Sequence, residues 1–233
     1  MSLAENFESI QRRIVAACGR AGRDPASITF LAASKGMPPE IVNEAAEVGV
    51  RCFGENKVQE AKAKIPGCPG RLRWHLIGHL QSNKCRDAVA LFDMIQSVDS
   101  VGLAVELQKW AENQAKTMPV LLEVNVAGES SKFGIRPEAL PAVLASMQGL
   151  SRLEIQGLMT IAPWAPDPEK ARPHFRALRE LKQGCEETLG AALPHLSMGM
   201  SGDFETAIEE GATIVRLGTS LFGLRPRPVR GAI

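Results

Sequence analysis

A chain of 233 residues is long enough for one large domain or two small ones and buries a substantial core. Its 27 basic and 26 acidic residues are interspersed and leave a formal charge of +1, which disfavours a nucleic-acid partner. No apolar run approaches the roughly 18 residues that suggest a membrane span, and the N-terminus carries acids where a secretory leader would be basic and then apolar. The five cysteines are odd in number, scattered and without C-x-x-C spacing, which suits reduced thiols in a cytoplasmic protein better than a disulfide frame or a zinc site.

In chain order, Leu3, Phe7, Ile10, Ile14 and Val15 recur at helical spacing and predict an N-terminal helix within residues 1–22, ended near Gly19 to Gly22. Short apolar runs then alternate with amphipathic stretches: "ITFLAAS", "VRCFG", "LRWHLIG", "DMIQSV", "PVLLEVNV", "LEIQGLMTI", "PHLSMG" and "ATIVRLG". Between them, Leu140, Val143, Leu144 and Met147 share one helical face. Phe175, Leu178, Leu181, Cys185 and Leu189 share another. The strand runs are apolar throughout rather than alternating, as expected of a parallel sheet covered on both faces. Eight strands separated by helices predict an α/β fold, a (β/α)8 TIM barrel with an extra N-terminal helix. A doubly wound open sheet is the alternative, but no G-x-G-x-x-G follows an early strand. No linker divides the chain, so a single domain over 1–233 is expected, with an irregular tail at 226–233.

Barrel chemistry gathers at the carboxyl ends of the strands. The first strand runs into Lys35, by default a solvated surface lysine. The seventh leads through Gly199 into "MSGDFETAI", where Ser201 and the free amides of a helix start suit an anion, although N-capping by Ser201 or Asp203 is the ordinary reading. The eighth ends in "RLGTS", where Gly218 admits close backbone approach and Thr219 adds a hydroxyl. Barrels often bind phosphate between these two loops. Arg216 lies within the eighth strand, where an unpaired guanidinium is costly. Either it pairs with a carboxylate such as Glu123 or it meets a ligand acceptor. A phosphate ester carrying an aldehyde and a ring nitrogen would use the lysine, the anion cradle and the arginine together.

The ordered set "LAASKG", "FGENKVQE", "WHLIGHLQSNK", "SKFGI", "GLMTIAP", "LSMGMSGDFETAI" and "VRLGTSLFG" covers nearly the whole chain and resembles the pyridoxal 5′-phosphate (PLP) homeostasis protein family, barrels related to the N-terminal domain of alanine racemase. The resemblance implies PLP as cofactor, Lys35 as the Schiff-base lysine, Arg216 at the pyridine nitrogen, and Ser201, Gly218 and Thr219 around the phosphate. It also implies Asn56 and His79 lining the same mouth and Met200 packed near the cofactor. Two positions depart from the family pattern: Lys57 stands where tyrosine is expected, and Gly36 follows the lysine where threonine is common.

The function so implied is to hold PLP and to buffer or deliver it in vitamin B6 homeostasis, with PLP-dependent apo-enzymes as recipients. An amino-acid racemase is the alternative. Related racemases use a lysine and a tyrosine from opposite faces, and this chain contains no tyrosine. Without the racemase's second domain its dimer contacts are lost, so a monomer is expected. His75 and His79 lack an evident third ligand for a metal. Lys132 reads as a solvated loop lysine whose nearness to the mouth would also suit a secondary aldehyde acceptor.

Overall fold

The structure is a computed structural model that describes residues 2–129 and 132–223; the tail expected at 226–233 lies outside the described residues. Eight strands close into a barrel: β1 (Thr29–Ala33), β2 (Cys52–Glu55), β3 (Arg73–Leu76), β4 (Met94–Val98), β5 (Met118–Glu123), β6 (Leu153–Met159), β7 (His195–Ser197) and β8 (Ile214–Leu217). Each is parallel to the next, and β8 pairs with β1 through Arg216 opposite Leu31. Every one of the eight apolar runs overlaps a strand.

The helices are α1 (Leu3–Ala21), α2 (Pro39–Glu47), α3 (Val58–Lys64), α4 (Cys85–Leu91), α5 (Val101–Asn113), α6 (Leu140–Met147), α7 (Arg172–Leu189), α8 (Phe204–Glu209) and α9 (Thr219–Phe222). α1 is the expected extra helix. A capping box opens it: the Glu5 amide donates to Ser2 Oγ at 3.2 Å and the Ser2 amide to Glu5 Oε2 at 2.7 Å, stabilising the helix by about 1 kcal/mol. It ends at Gly22, whose φ of 63° is the left-handed cap conformation. Its Ile10, Ile14, Ala17 and Cys18 are buried, and Arg13 reaches Glu205 of α8 at 3.1 Å. The amphipathic stretch before α7 opens with a tight turn at Pro168–Ala171, and the one before α6 with a turn at Pro137–Ala139. Proline suits such first turns because its missing N–H has no partner there anyway.

Leu31, Cys52, Ile77, Met94, Leu121, Met159 and Ile214 form their own buried cluster. They come from six of the eight strands and the residue following β3, and they fill the barrel interior. The larger cluster, including Phe53, Phe92, Phe175 and Phe204, seals strands against helices. Burying each such phenylalanine stabilises by roughly 1.5–3 kcal/mol. On the outside, the buried carboxylate of Glu210 ties α8 to α7 by pairing with Arg172 at 3.2 Å, Arg176 at 3.2 Å and Arg179 at 2.7 Å. This network holds the helix that follows β7 and so steadies one wall of the barrel mouth.

Candidate functional site

Lys35 lies in the turn just after β1, half-buried, and lines a cavity of about 270 Å³ at the carboxyl end of the barrel. Met200, Ser201, Arg216, Gly218 and Thr219 line the same cavity. Six of the eight residues singled out from sequence thus converge from the β1, β7 and β8 ends. These are adjacent strands because the barrel closes, although the first lies far from the others in sequence.

The segment after β7 turns at Gly199, whose φ is 92°. A side chain there would also place its Cβ 2.6 Å from Ala207 Cβ and 3.0 Å from Phe204 Cα, so glycine is required twice over. Its carbonyl accepts from the Arg216 amide at 3.0 Å, which locks the turn to β8. The helix expected to open around Ser201 begins instead at Phe204, because Asp203 Oδ1 accepts the Met200 amide at 2.6 Å and folds residues 200–203 into a turn of their own. Asp203 makes no side-chain cap on α8. Ser201 does not cap it either: its Oγ accepts the Ser220 amide at 3.1 Å, and Ser220 Oγ donates to the Ser201 carbonyl at 3.4 Å. These two bonds join the loops after β7 and β8. They leave the Ser201 hydroxyl hydrogen available beside Gly218 and Thr219, where α9 opens.

Arg216 is buried, yet its hydrogen-bond partners are a hydroxyl and a carbonyl, not Glu123. Nη1 donates to Ser197 Oγ at 2.7 Å and Nη2 to the Thr160 carbonyl at 2.7 Å. Among the described residues no ion pair joins Arg216 to Glu123. Burial pulls the Arg216 pKa down to about 10, against the opposing pull of Glu123 and Asp203, and the group stays charged near neutral pH. The guanidinium carries more N–H donors than these two bonds use, so it retains capacity for a ligand acceptor. Glu123 is itself buried, and its carboxyl pKa is pushed up to about 7 by burial first and by the nearby Asp99 second.

A directed chain of hydrogen bonds continues inward from Arg216. Ser197 Oγ donates to Gln96 Oε1 at 2.6 Å, and Gln96 Nε2 lies 2.8 Å from His75 Nδ1. β4 and β7 are not neighbours, so the Gln96–Ser197 bond crosses the barrel interior. Burial drives the His75 pKa down to about 3, so the ring is neutral and its Nδ1 accepts from Gln96. Ser197, Gln96 and Thr160 had no sequence signal beyond being polar residues in apolar runs.

Asn56 and His79 line a separate cavity of about 380 Å³, together with Lys57, Gly78 and Lys84. Asn56 Oδ1 is buried without a hydrogen-bond partner among the described residues. His79 Nδ1 lies 3.2 Å from Asp99, and its ring stacks on Phe133 with centroids 3.7 Å apart. Lys132 pairs with Glu129 at 2.6 Å and lines a third cavity of about 180 Å³ with Glu123 and Phe133. Trp164, in the loop after β6, stands on the rim of the Lys35 cavity and is 82% exposed. Gly36 has a φ of 75°, so the departure from threonine places a permissive residue where a β-branched one is strained.

Residues 32–226 match the family described as "Alanine racemase, N-terminal domain". The chain is 46% identical over 226 residues to a pyridoxal phosphate homeostasis protein of Aquifex aeolicus, covering 97% of this chain and 99% of that one. It is 44% identical to the protein of the same name from Pseudomonas aeruginosa, covering 96% of each. The chain belongs to the pyridoxal phosphate homeostasis proteins. Among solved structures, PipY of Synechococcus elongatus superposes with a TM-score of 0.86 without PLP and 0.83 with PLP bound, at 37% identity over 95% of this chain and 100% of PipY. Alanine racemase of Corynebacterium glutamicum shares the fold at a TM-score of 0.72 and 18% identity, and this chain spans 62% of its length.

Proposed function

We propose that this chain holds pyridoxal 5′-phosphate at the Lys35 cavity and buffers or delivers it in vitamin B6 homeostasis. The observation that carries the reading is the convergence of a lysine amine, a buried arginine and two hydroxyl-bearing loop starts on one cavity of about 270 Å³. The volume is at the small end of small-molecule sites, roughly 300 Å³, as suits a compact cofactor. When bound, PLP supplies an aldehyde that condenses reversibly with a primary amine. Lys35 offers that amine. Arg216, charged near neutral pH, would donate to the ring nitrogen and keep that nitrogen an acceptor, which would weaken the ring as an electron sink. The Ser201 hydroxyl and the backbone at Gly218 and Thr219 receive the phosphate. Asn56 and His79 would contribute from the adjoining cavity, and Met200 would pack against the cofactor. The presence of PLP in a relative that matches nearly the whole chain supports the assignment.

The cavity's inventory supports retention over racemisation. Its titratable side chains are Lys35, Asp203 and Arg216. Asp203 is engaged by the Met200 amide, Arg216 does not give up its proton, and the sequence has no tyrosine to act as a second base. The reading carries further expectations: one PLP-binding unit over residues 1–233, a monomer, a cytoplasmic location and apo-enzymes as recipients. Among the described residues no helix is long and apolar enough to cross a membrane.

The test is visible absorption of the purified protein with added PLP beside Lys35→Ala. A yellow, borohydride-reducible species that requires Lys35 supports the reading, and identical spectra for the two proteins overturn it. Incubation with single enantiomers of alanine then separates holder from racemase.

A further inference from the structure

The residues on either side of Lys35 are gripped by one buried charge cluster outside the cavity. Lys64, at the end of α3, has only 4% of its side chain exposed, and Glu55, at the end of β2, has none. Lys64 Nζ donates to the Ser34 carbonyl at 2.8 Å, to Glu55 Oε1 at 2.5 Å and to Glu60 Oε1 at 3.0 Å. Ser34 Oγ donates to the same Glu55 oxygen at 2.7 Å. Beyond Lys35, the Gly36 amide donates to Glu60 Oε1. Lys64 therefore reaches the backbone before Lys35 directly and the backbone after it through Glu60, with all three of its N–H donors engaged.

We propose that Lys64, with Glu55 and Glu60, is a positioning group for Lys35: it fixes the turn from Ser34 to Gly36 and so sets the direction and reach of the Lys35 amine into the cavity. Three physical points support this. A lysine taken almost wholly out of water is costly unless every donor is satisfied, and here each acceptor bears on that one turn. Gly36, at a φ of 75°, has no side chain to restrain the turn from its far side, so an outside clamp is needed. The cluster also lies off the cavity wall, since none of its three side chains lines the Lys35 cavity. It acts through the backbone and not on the ligand.

This inference rests on Lys35 being the PLP-holding amine, so its test includes one readout without PLP. The variants are Lys64→Met, Glu60→Gln and, as a control, Lys116→Met. Lys116 also satisfies two backbone carbonyls, those of Val89 at 2.8 Å and Phe92 at 2.7 Å, but far from the cavity. The first readout is the pH profile of Lys35 acetylation by acetic anhydride in the PLP-free protein, followed by mass spectrometry. The second is the PLP dissociation rate, followed by visible absorption. Lys64→Met is expected to shift the Lys35 acetylation profile and to release PLP about tenfold faster, equivalent to about 1.4 kcal/mol, with a smaller change of the same sign in Glu60→Gln. Lys116→Met is expected to lower thermal stability and leave both readouts at the parent value. Unchanged profile and release in folded Lys64→Met overturn the proposal, as does an equal change in Lys116→Met. If Lys64→Met does not fold, Glu60→Gln decides alone, because Glu60 is partly exposed and its loss is tolerable. A parent protein that binds no PLP but shows the acetylation shift would reject the cofactor reading and leave the positioning role standing.

Discussion

Ser197 Oγ on β7 stands between two buried partners, accepting from Arg216 Nη1 at 2.7 Å and donating to Gln96 Oε1 at 2.6 Å. One hydroxyl thus fixes the orientation of the arginine from inside the barrel, linking the paired strands β7 and β8 to β4 across the interior. Ser197→Ala leaves a guanidinium N–H and an amide oxygen buried and unpaired, which costs about 1–3 kcal/mol for each. Urea denaturation should show a loss of that order, and spectral titration should show PLP binding weakened about tenfold. A variant with parent-like PLP affinity would mean that the Thr160 carbonyl alone holds Arg216.

Glu123 sets a pH dependence of known sign. Its folded pKa of about 7 lies above the ordinary 4.5, so over that window the native state binds a proton that the unfolded chain has released. Stability therefore falls as pH rises from about 4.5 to about 7 and stays reduced above it. With about 1.4 kcal/mol per pH unit, the loss is on the order of 3 kcal/mol. Glu123→Gln removes the titration, and stability measured across this range should become flatter than in the parent. A profile of unchanged slope would locate the effect elsewhere.

Gly36→Thr restores the residue common in the family but forces a β-branched side chain to a φ of 75°. The strain is about 1–3 kcal/mol. The expected outcome is a lower melting temperature together with faster PLP release, because the strained residue adjoins Lys35. A melting point equal to the parent's would show that the turn relaxes to another conformation.

Trp164 offers an optical report of occupancy. At 82% exposed on the cavity rim, it is far more exposed than Trp74, which is 4% exposed. Adding PLP to the parent should quench tryptophan emission, and Trp164→Phe should remove most of that quenching while the visible titration is unchanged. Full quenching in the variant would assign the signal to Trp74 or Trp110.

The barrel was legible in the sequence because parallel strands covered on both faces must be apolar throughout, and glycine and proline punctuate the segments between them. That Lys35, Ser201, Arg216, Gly218 and Thr219 line one cavity was foreseeable because barrel mouths sit at strand ends, so the last residues of each run were the ones to read. Other features had no local signature. Asn56 and His79 follow adjacent strands, but the path of their loops puts them in a neighbouring cavity. The choice between Glu123 and Ser197 as the partner of Arg216 depended on which side chains the closed barrel turns inward and how near they come. Gln96 and Ser197 are 101 residues apart in the chain, and Lys64 reads as one more basic residue at a helix end. Amino-acid order alone determined which segments are apolar enough to become strands and which residues end them. Only barrel closure decided which buried polar groups meet, because a hydrogen bond requires contact within a few ångströms and contact across the barrel leaves no periodicity in the chain.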